Sequence, residues 1–391
     1  MIRLIKSTFY KENQTKKELV KFIISADKLS FGAECEKFEK NFAKFQNSKY
    51  CVFFNSGSSA NLALIQALIN INIIKKGNRV GFSSLTWATN VMPIIQNNLY
   101  PVPIDVEINT LNVSKRTLIE AIKVSYINVL FLTNLLGFCD NIDEISYFCK
   151  KNNIVLIEDN CESLGSEYGG KKLGNFGLAS TFSFYVGHHM STIEGGAVCT
   201  NNKELAIMLK IVRAHGWDRN LSNVEQKKIR KDYNMDSDFY GLYTFYNLGY
   251  NLRPTEINGF LGNCQLKYIS QIIKKRNNNF IKFAKEVYNK EESYYPLKFN
   301  HMDFLSSFSF PIICKTEEIK NNIIKKCKDK IEVRPIVGGN MTKQPFFKKN
   351  KPLFLIPETP NSDLIHKQGL YFGNNPELTN EELNSIIKIC N

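Results

Sequence analysis

The stretch from 173 to 202 contains no lysine, although lysine and arginine together number 51 in this chain of 391 residues. The ten cysteines include no CxC or CxxC pair, and the closest two, Cys139 and Cys149, stand ten apart. A dense disulfide or zinc framework is therefore excluded, and a reducing cytoplasm fits. No signal peptide is expected, because charged residues interrupt every short apolar run of the N-terminal MIRLIKSTFYKENQTKKELV. No apolar run is long enough to span a bilayer. The longest, YINVLFLTNLLGF, is too short and too polar, so no membrane partner is expected. Acidic residues are in deficit, 37 against 51 basic ones, for a net charge of +14. The excess is scattered, in groups such as IIKKRNNN and FFKKNKP set among asparagines, and no nucleic-acid module is visible. It reads as a solvated surface, the main alternative being a preference for anionic small substrates, and not as a nucleic-acid face.

What is present is the composition of a globular enzyme, with 43% hydrophobic and 23% charged residues. Short apolar runs alternate with helical patterns: YCVFF then SANLALIQALINI, RVGFSS then ATNVMPIIQNN, YPVPID then TLIEAIK, INVLFLT then IDEISYFCKKN, and finally IVLIED. This rhythm predicts an α/β fold whose mostly parallel sheet is covered by helices on both faces, with functional groups at the strand C-terminal ends. From about 265 the pattern changes to one long helix, QLKYISQIIKKRNNNFIKFAKEVYN, followed by FLSSFSFPIICK, EEIKNNIIKKCKDK and IEVRPIV. The expected division is a large unit over 1–264, opened by an N-terminal arm, and a small α+β unit over 265–391.

Four loops carry chemistry. In NSGSSANLAL, Ser56, Gly57 and Ser58 precede a helix, where exposed N–H groups and the helix dipole favour an anion; small residues there more often only cap the helix. The strand in NNIVLIEDNCES ends on Glu158 and Asp159. A strand-terminal carboxylate can hold a protonated ring nitrogen, or can simply be a cap or a buried ion pair. Trp87 in SSLTWATN can lay its ring on a flat cofactor, although a core role is commoner for tryptophan. In FSFYVGHHMSTIEGG, Ser183 lies five residues before His188.

In this order, the four loops resemble the DegT/DnrJ/EryC1/StrS sugar aminotransferase family, and the resemblance runs across the whole chain, including GYNLRPTEINGFLGNCQL at 249–266. It implies the pyridoxal 5′-phosphate (PLP)-dependent transferase fold type I, the aspartate aminotransferase-like architecture, with PLP held by Ser56, Gly57, Ser58, Trp87, Asp159 and Ser183. Glu162 would stand near the cofactor's 3-hydroxyl, where these aminotransferases usually carry glutamine. Asn251 would reach the cofactor phosphate of a neighbouring subunit, so a homodimer with shared sites is implied.

The family's lysine, which forms the internal Schiff base, falls at His188. An imidazole forms no stable link of that kind, so PLP or its amine form PMP would be bound non-covalently. Histidine with HHMSTIEGG marks the sugar-nucleotide 3-dehydratase subset. That subset implies L-glutamate as amino donor and His188 as base, with removal of the C3 hydroxyl from a GDP-4-keto-6-deoxy sugar, mannose or a heptose homologue. The iron–sulfur branch needs cysteines shortly after the histidine; RAHGWDRNLSNVEQ has none, so no cluster is expected. Gly187 stands where the subset has serine. His215, Arg219, Arg253 and Arg334 are candidate ligands for glutamate carboxylates or the nucleotide diphosphate, against a plain ion-pair role for each arginine. His189 is expected to support packing or hydrogen bonding. The rival readings are a sugar aminotransferase using another lysine and a non-catalytic PMP-binding protein. A DNA-binding regulator would need a winged helix for which the chain has no room.

Overall fold

The apolar runs of the first half become the strands of one sheet. In the computed structural model, which describes residues 1–235 and 237–391, these are β1 (Tyr50–Phe54), β2 (Arg79–Ser83), β3 (Tyr100–Ile104), β4 (Val129–Thr133) and β5 (Val155–Asp159). A small hairpin follows, β6 (Glu167–Tyr168) with β7 (Lys171–Lys172), and then β8 (Ala179–Ser183) and β9 (Gly196–Thr200) complete the sheet. Its order is β1-β9-β8-β5-β4-β2-β3. All pairings from β8 to β3 are parallel, and β9 alone runs against both of its neighbours. β4 and β8 are buried at every position, as expected for strands covered on both faces.

Each crossover is dictated locally. Ser56 caps the helix Gly57–Asn70 by accepting from the Ser59 amide, and Ser114 and Thr117 form a reciprocal capping box at Lys115–Val124. ATNVMPIIQNN departs from the expected helix: it folds as a single tight turn over Ala88–Asn90 and a short helix over Met92–Gln96 with Pro93 in its first turn. The expected long helix is present as Ile269–Val287, starting a turn later than its sequence pattern because Gln265 and Leu266 end a separate helix, Glu256–Leu266.

The C-terminal part forms a four-stranded antiparallel sheet in the order β10 (Tyr294–Tyr295), β11 (Ser309–Cys314), β13 (Gly369–Gly373), β12 (Val333–Pro335). Its apolar face is continuous with that of the large sheet: Phe280, Phe283, Phe310 and Ile386 belong to one buried cluster with Leu130, Leu132 and Phe138. The N-terminal arm runs along this smaller sheet, with Ile2 bridging Ile331 and the Leu4 amide donating to Glu332 Oε2 at 3.0 Å. A separate aromatic cluster of Phe38, Phe42, Phe53 and Phe184 packs edge to face beneath β8 and β9. Truncating one such buried ring costs about 3–5 kcal/mol.

Candidate active site

The strand ends open into a cavity of about 480 Å³. Ten of the residues singled out in the sequence line it: Ser56, Gly57, Ser58, Trp87, Asp159, Glu162, Ser183, Gly187, His188 and Arg334. Residues more than 270 positions apart meet because the parallel strands all end on the same side and the small unit closes over them.

The floor is built around Asp159. Alternation along β5 sends Glu158 and Asp159 to opposite faces. Glu158 accepts from the amides of Gly174, Phe176 and Gly177 and ties down that loop. Asp159 turns to the cavity, where Oδ2 accepts from Asn61 Nδ2 at 3.0 Å and Asn90 Nδ2 at 2.7 Å, and Oδ1 from the Cys161 amide at 2.8 Å. The carboxylate is thus held by neutral donors and has no ion-pair partner among the described residues. This is the environment that suits a ligand-borne N–H⁺. Asn61 and Asn90 were not anticipated, although both lie in loops already noted; nothing in their spacing marks them as partners of a residue 98 and 69 positions away.

Ser56 is indeed a helix cap, yet the helix it starts also presents its N-terminus to the cavity. At Gly57 a Cβ would lie 2.6 Å from Cβ of Ser183, so only glycine lets this N-terminus approach the end of β8. Trp87 is 55% exposed and therefore no core residue; its ring borders the cavity beside Gly338. Helix amides, a hydroxyl, an open indole face and a strand-terminal carboxylate together match phosphate, ring and ring nitrogen of PLP. The residues present fit that group.

On the opposite side stands His188. Burial lowers its pKa to about 4, with Asp159 opposing the shift and Arg276 adding to it, so the imidazole is neutral at neutral pH. Neither ring nitrogen has a hydrogen-bond partner among the described residues; Nδ1 is buried, which leaves Nε2 as the nitrogen open to the cavity. His189 faces away: its Nε2 lies 2.8 Å from the Ser306 carbonyl, which can only accept, so Nε2 carries the hydrogen. No lysine lines the cavity. Glu162 accepts from the Leu136 amide at 3.0 Å, and burial, reinforced by Asp159, pushes its pKa up to about 8. At neutral pH it is therefore mostly protonated and can donate, as a glutamine amide would. At Gly187 a Cβ would meet the Tyr185 ring at 2.9 Å, so the space a serine would need is filled by that ring.

Arg334 borders the cavity, but its Nε and Nη2 both donate to Glu332 Oε1, at 3.2 and 2.9 Å. His215, Arg219, Arg253 and Asn251 do not reach this chain's cavity. Arg219 lies over the rings of Trp217 and Tyr243 and donates to the Leu242 carbonyl, and Arg253 donates to Asn251. The ligand roles expected for His215, Arg219 and Arg253 are therefore not placed by a single chain. Unanticipated wall residues are Leu4, Ile5, Tyr185, Phe308 and Tyr371. Leu4 and Ile5 carry no signal in the sequence, since only the docking of the arm on the small sheet brings them there.

Comparison with known proteins agrees with this geometry. A GDP-4-keto-6-deoxy-D-mannose 3-dehydratase of Escherichia coli O55:H7 is 34% identical over 360 residues, 91% of either chain. The solved E. coli GDP-4-keto-6-deoxy-D-mannose 3-dehydratase with bound hydrated PLP superposes with a TM-score of 0.90 at 31% identity, covering 100% of this chain and 99% of that one. A His-to-Asn mutant of GDP-4-keto-6-deoxymannose-3-dehydratase with bound GDP-perosamine also gives 0.90, at 30% identity with both chains fully covered. The model of the DegT/DnrJ/EryC1/StrS aminotransferase family matches residues 10–391, and the chain belongs to that family.

Proposed function

We propose that this protein removes the C3 hydroxyl of a GDP-4-keto-6-deoxy sugar, mannose or its heptose homologue, using PLP/PMP and L-glutamate. The product would be a GDP-4-keto-3,6-dideoxy sugar for surface polysaccharide. The observation that carries this reading is the cavity itself, which offers a neutral imidazole, His188, and no lysine. Two relatives named for this reaction, at 34% identity, support it.

When bound, the cofactor supplies the amine that engages the C4 ketone and an electron sink that drives loss of the neighbouring hydroxyl. The protein's own residues do the rest. The N-terminus of helix Gly57–Asn70 and Ser183 hold the phosphate, and Trp87 covers a ring face. Asp159 keeps the ring nitrogen protonated, which makes the sink effective. Protonated Glu162 donates toward the ring hydroxyl. His188 moves the proton, through Nε2, the unpartnered ring nitrogen that is not buried. A lysine would compete for the cofactor and return the reaction to amine transfer.

The working unit in this reading is a homodimer, in which the segment bearing His215, Arg219, Asn251 and Arg253 serves a second copy's cavity. Support comes from the exposed Phe245 and Leu248 beside it, 60% and 71% accessible in one chain. The division at 264/265 into a large cofactor-binding unit and a small closing unit is part of the same proposal, supported by the separate four-stranded sheet. No helix among the described residues is long and apolar enough to cross a membrane, and ten free thiols favour the reducing cytoplasm.

Supplying PLP, L-glutamate and GDP-4-keto-6-deoxymannose should release 2-oxoglutarate and ammonia together with a dideoxy sugar. An amino sugar without ammonia, or a pyridoxyl-lysine after borohydride reduction, would show an aminotransferase instead. No turnover with any GDP- or CDP-linked 4-keto sugar would show a non-catalytic binding protein.

A further inference from the structure

Behind His188 lies a buried cation with no carboxylate partner. Arg276, on helix Ile269–Val287, is 5% exposed and makes no ion pair among the described residues. Its Nη2 donates to the main-chain carbonyl of His188 at 3.0 Å, and Nη1 donates to the Asn374 carbonyl. Nε is buried without a partner. Asn374 closes the arrangement by donating to the carbonyls of Arg276 and Ser307, at 2.8 and 2.9 Å. Next to it, His189 bonds the Ser306 carbonyl, and the Phe308 ring packs against both imidazoles at 5.4 and 5.8 Å. The His188 amide donates to Tyr185 O, so the residue is fixed at both ends of its main chain.

An uncompensated buried guanidinium is expensive and is a poor choice for stability alone. We propose that Arg276 is a positioning residue for the base, fixing the His188 main chain from the small unit and presenting an unneutralised positive charge behind its imidazole. The charged and titratable groups around that imidazole and its cavity are Asp159, Cys161, Glu162, Tyr185, His189, Glu194, Arg276, Arg334 and Tyr371. Of these, the Asp159 carboxylate favours the protonated ring, while Arg276 and burial oppose it. Burial is the largest influence and keeps the ring neutral; Asp159 pulls toward the protonated form, and Arg276 adds to burial against that pull. The proposal rests on His188 being the base, and its test separates the two.

The test uses ¹³C-histidine labelling and NMR titration of the whole enzyme without turnover, beside pH–rate profiles with the GDP-sugar. In Arg276→Met the His188 midpoint should rise by about one pH unit as the opposing charge is lost. kcat for dehydration should fall about 100-fold, with KM for the sugar little changed, because the base is displaced and not the substrate. Arg276→Gln restores a donor to the carbonyl without the charge: its midpoint should rise equally, while kcat above that midpoint recovers at least about tenfold over the methionine variant. An unmoved midpoint in a folded variant overturns the proposal, as does equal loss of kcat in both variants. If the methionine variant does not fold, Arg276→Gln decides alone, since a raised midpoint with kcat within about tenfold of wild type is required of it. The titration needs no catalysis, so it is read independently of the base assignment, which His188→Asn tests by loss of dehydration.

Discussion

The cavity floor and the outer segment at 215–253 solve opposite problems with similar residues. On the floor both carboxylates have fixed partners within the chain: Asp159 accepts three hydrogen bonds, Glu162 accepts one, and a neutral histidine faces them. On the outer segment Arg219 and Arg253 have no carboxylate partner among the described residues, and large apolar side chains stand in solvent. The floor is assembled within one chain, whereas the outer segment leaves its cations and apolar side chains exposed. A site built within one chain can be read from one copy.

The sharpest way to break the floor is His188→Asn, which keeps the size and polarity of the side chain but removes the base. Dehydration should fall by about 1,000-fold or more, read as ammonia and dideoxy sugar release, with circular dichroism unchanged. Asp159→Asn comes next. An amide cannot accept at both positions that Asn61, Asn90 and the Cys161 amide now use, and it no longer holds a proton on the ring nitrogen. A loss of about 100-fold in kcat is expected, with weaker retention of the cofactor's absorbance on gel filtration.

The comparison itself is tested by mixing subunits. His188→Asn and Arg253→Ala should each be impaired alone, yet co-refolded in equal amounts they should regain about a quarter of wild-type activity. Half the dimers are then mixed and each mixed dimer has one intact site. No recovery would place Arg253 in its own chain's chemistry and erase the distinction between the two regions.

The smallest effects are in pH. The folded pKa of His188 lies below its ordinary value, so its neutral form adds stability above about pH 6.5, and that contribution is lost as pH falls toward about 4. The His188→Asn variant should show a shallower drop of Tm over that window. Glu162 behaves in the reverse sense: its folded pKa is raised, so its contribution is present below about pH 4.5 and is lost as pH rises through about 8. Glu162→Gln should keep near-normal activity at pH 7 and flatten the alkaline decline of Tm.

Much of this was legible beforehand because it rests on local or periodic constraints. Alternating apolar runs announced the parallel sheet, the serine cap announced the helix at 57, and the missing lysine with His188 in its place separated this chain from ordinary members of its family. The short turn at 88–90, the start of the long helix at Ile269 and the route of the N-terminal arm were not legible, since each is set by what it packs against. The same holds for polar partners. Asn61 and Asn90 meet Asp159, and Arg276 meets His188, across long separations that carry no spacing rule.

The sequence by itself determined which chemical groups are available at the strand ends, because residue type and position on a strand or cap suffice for that. Only the tertiary structure decided their working states. Burial neutralises His188 and protonates Glu162, neutral amides leave Asp159 without an ion-pair partner, and packing keeps the 215–253 segment out of its own cavity. A pKa and an accessible face are properties of surroundings, and surroundings exist only once distant parts of the chain have met.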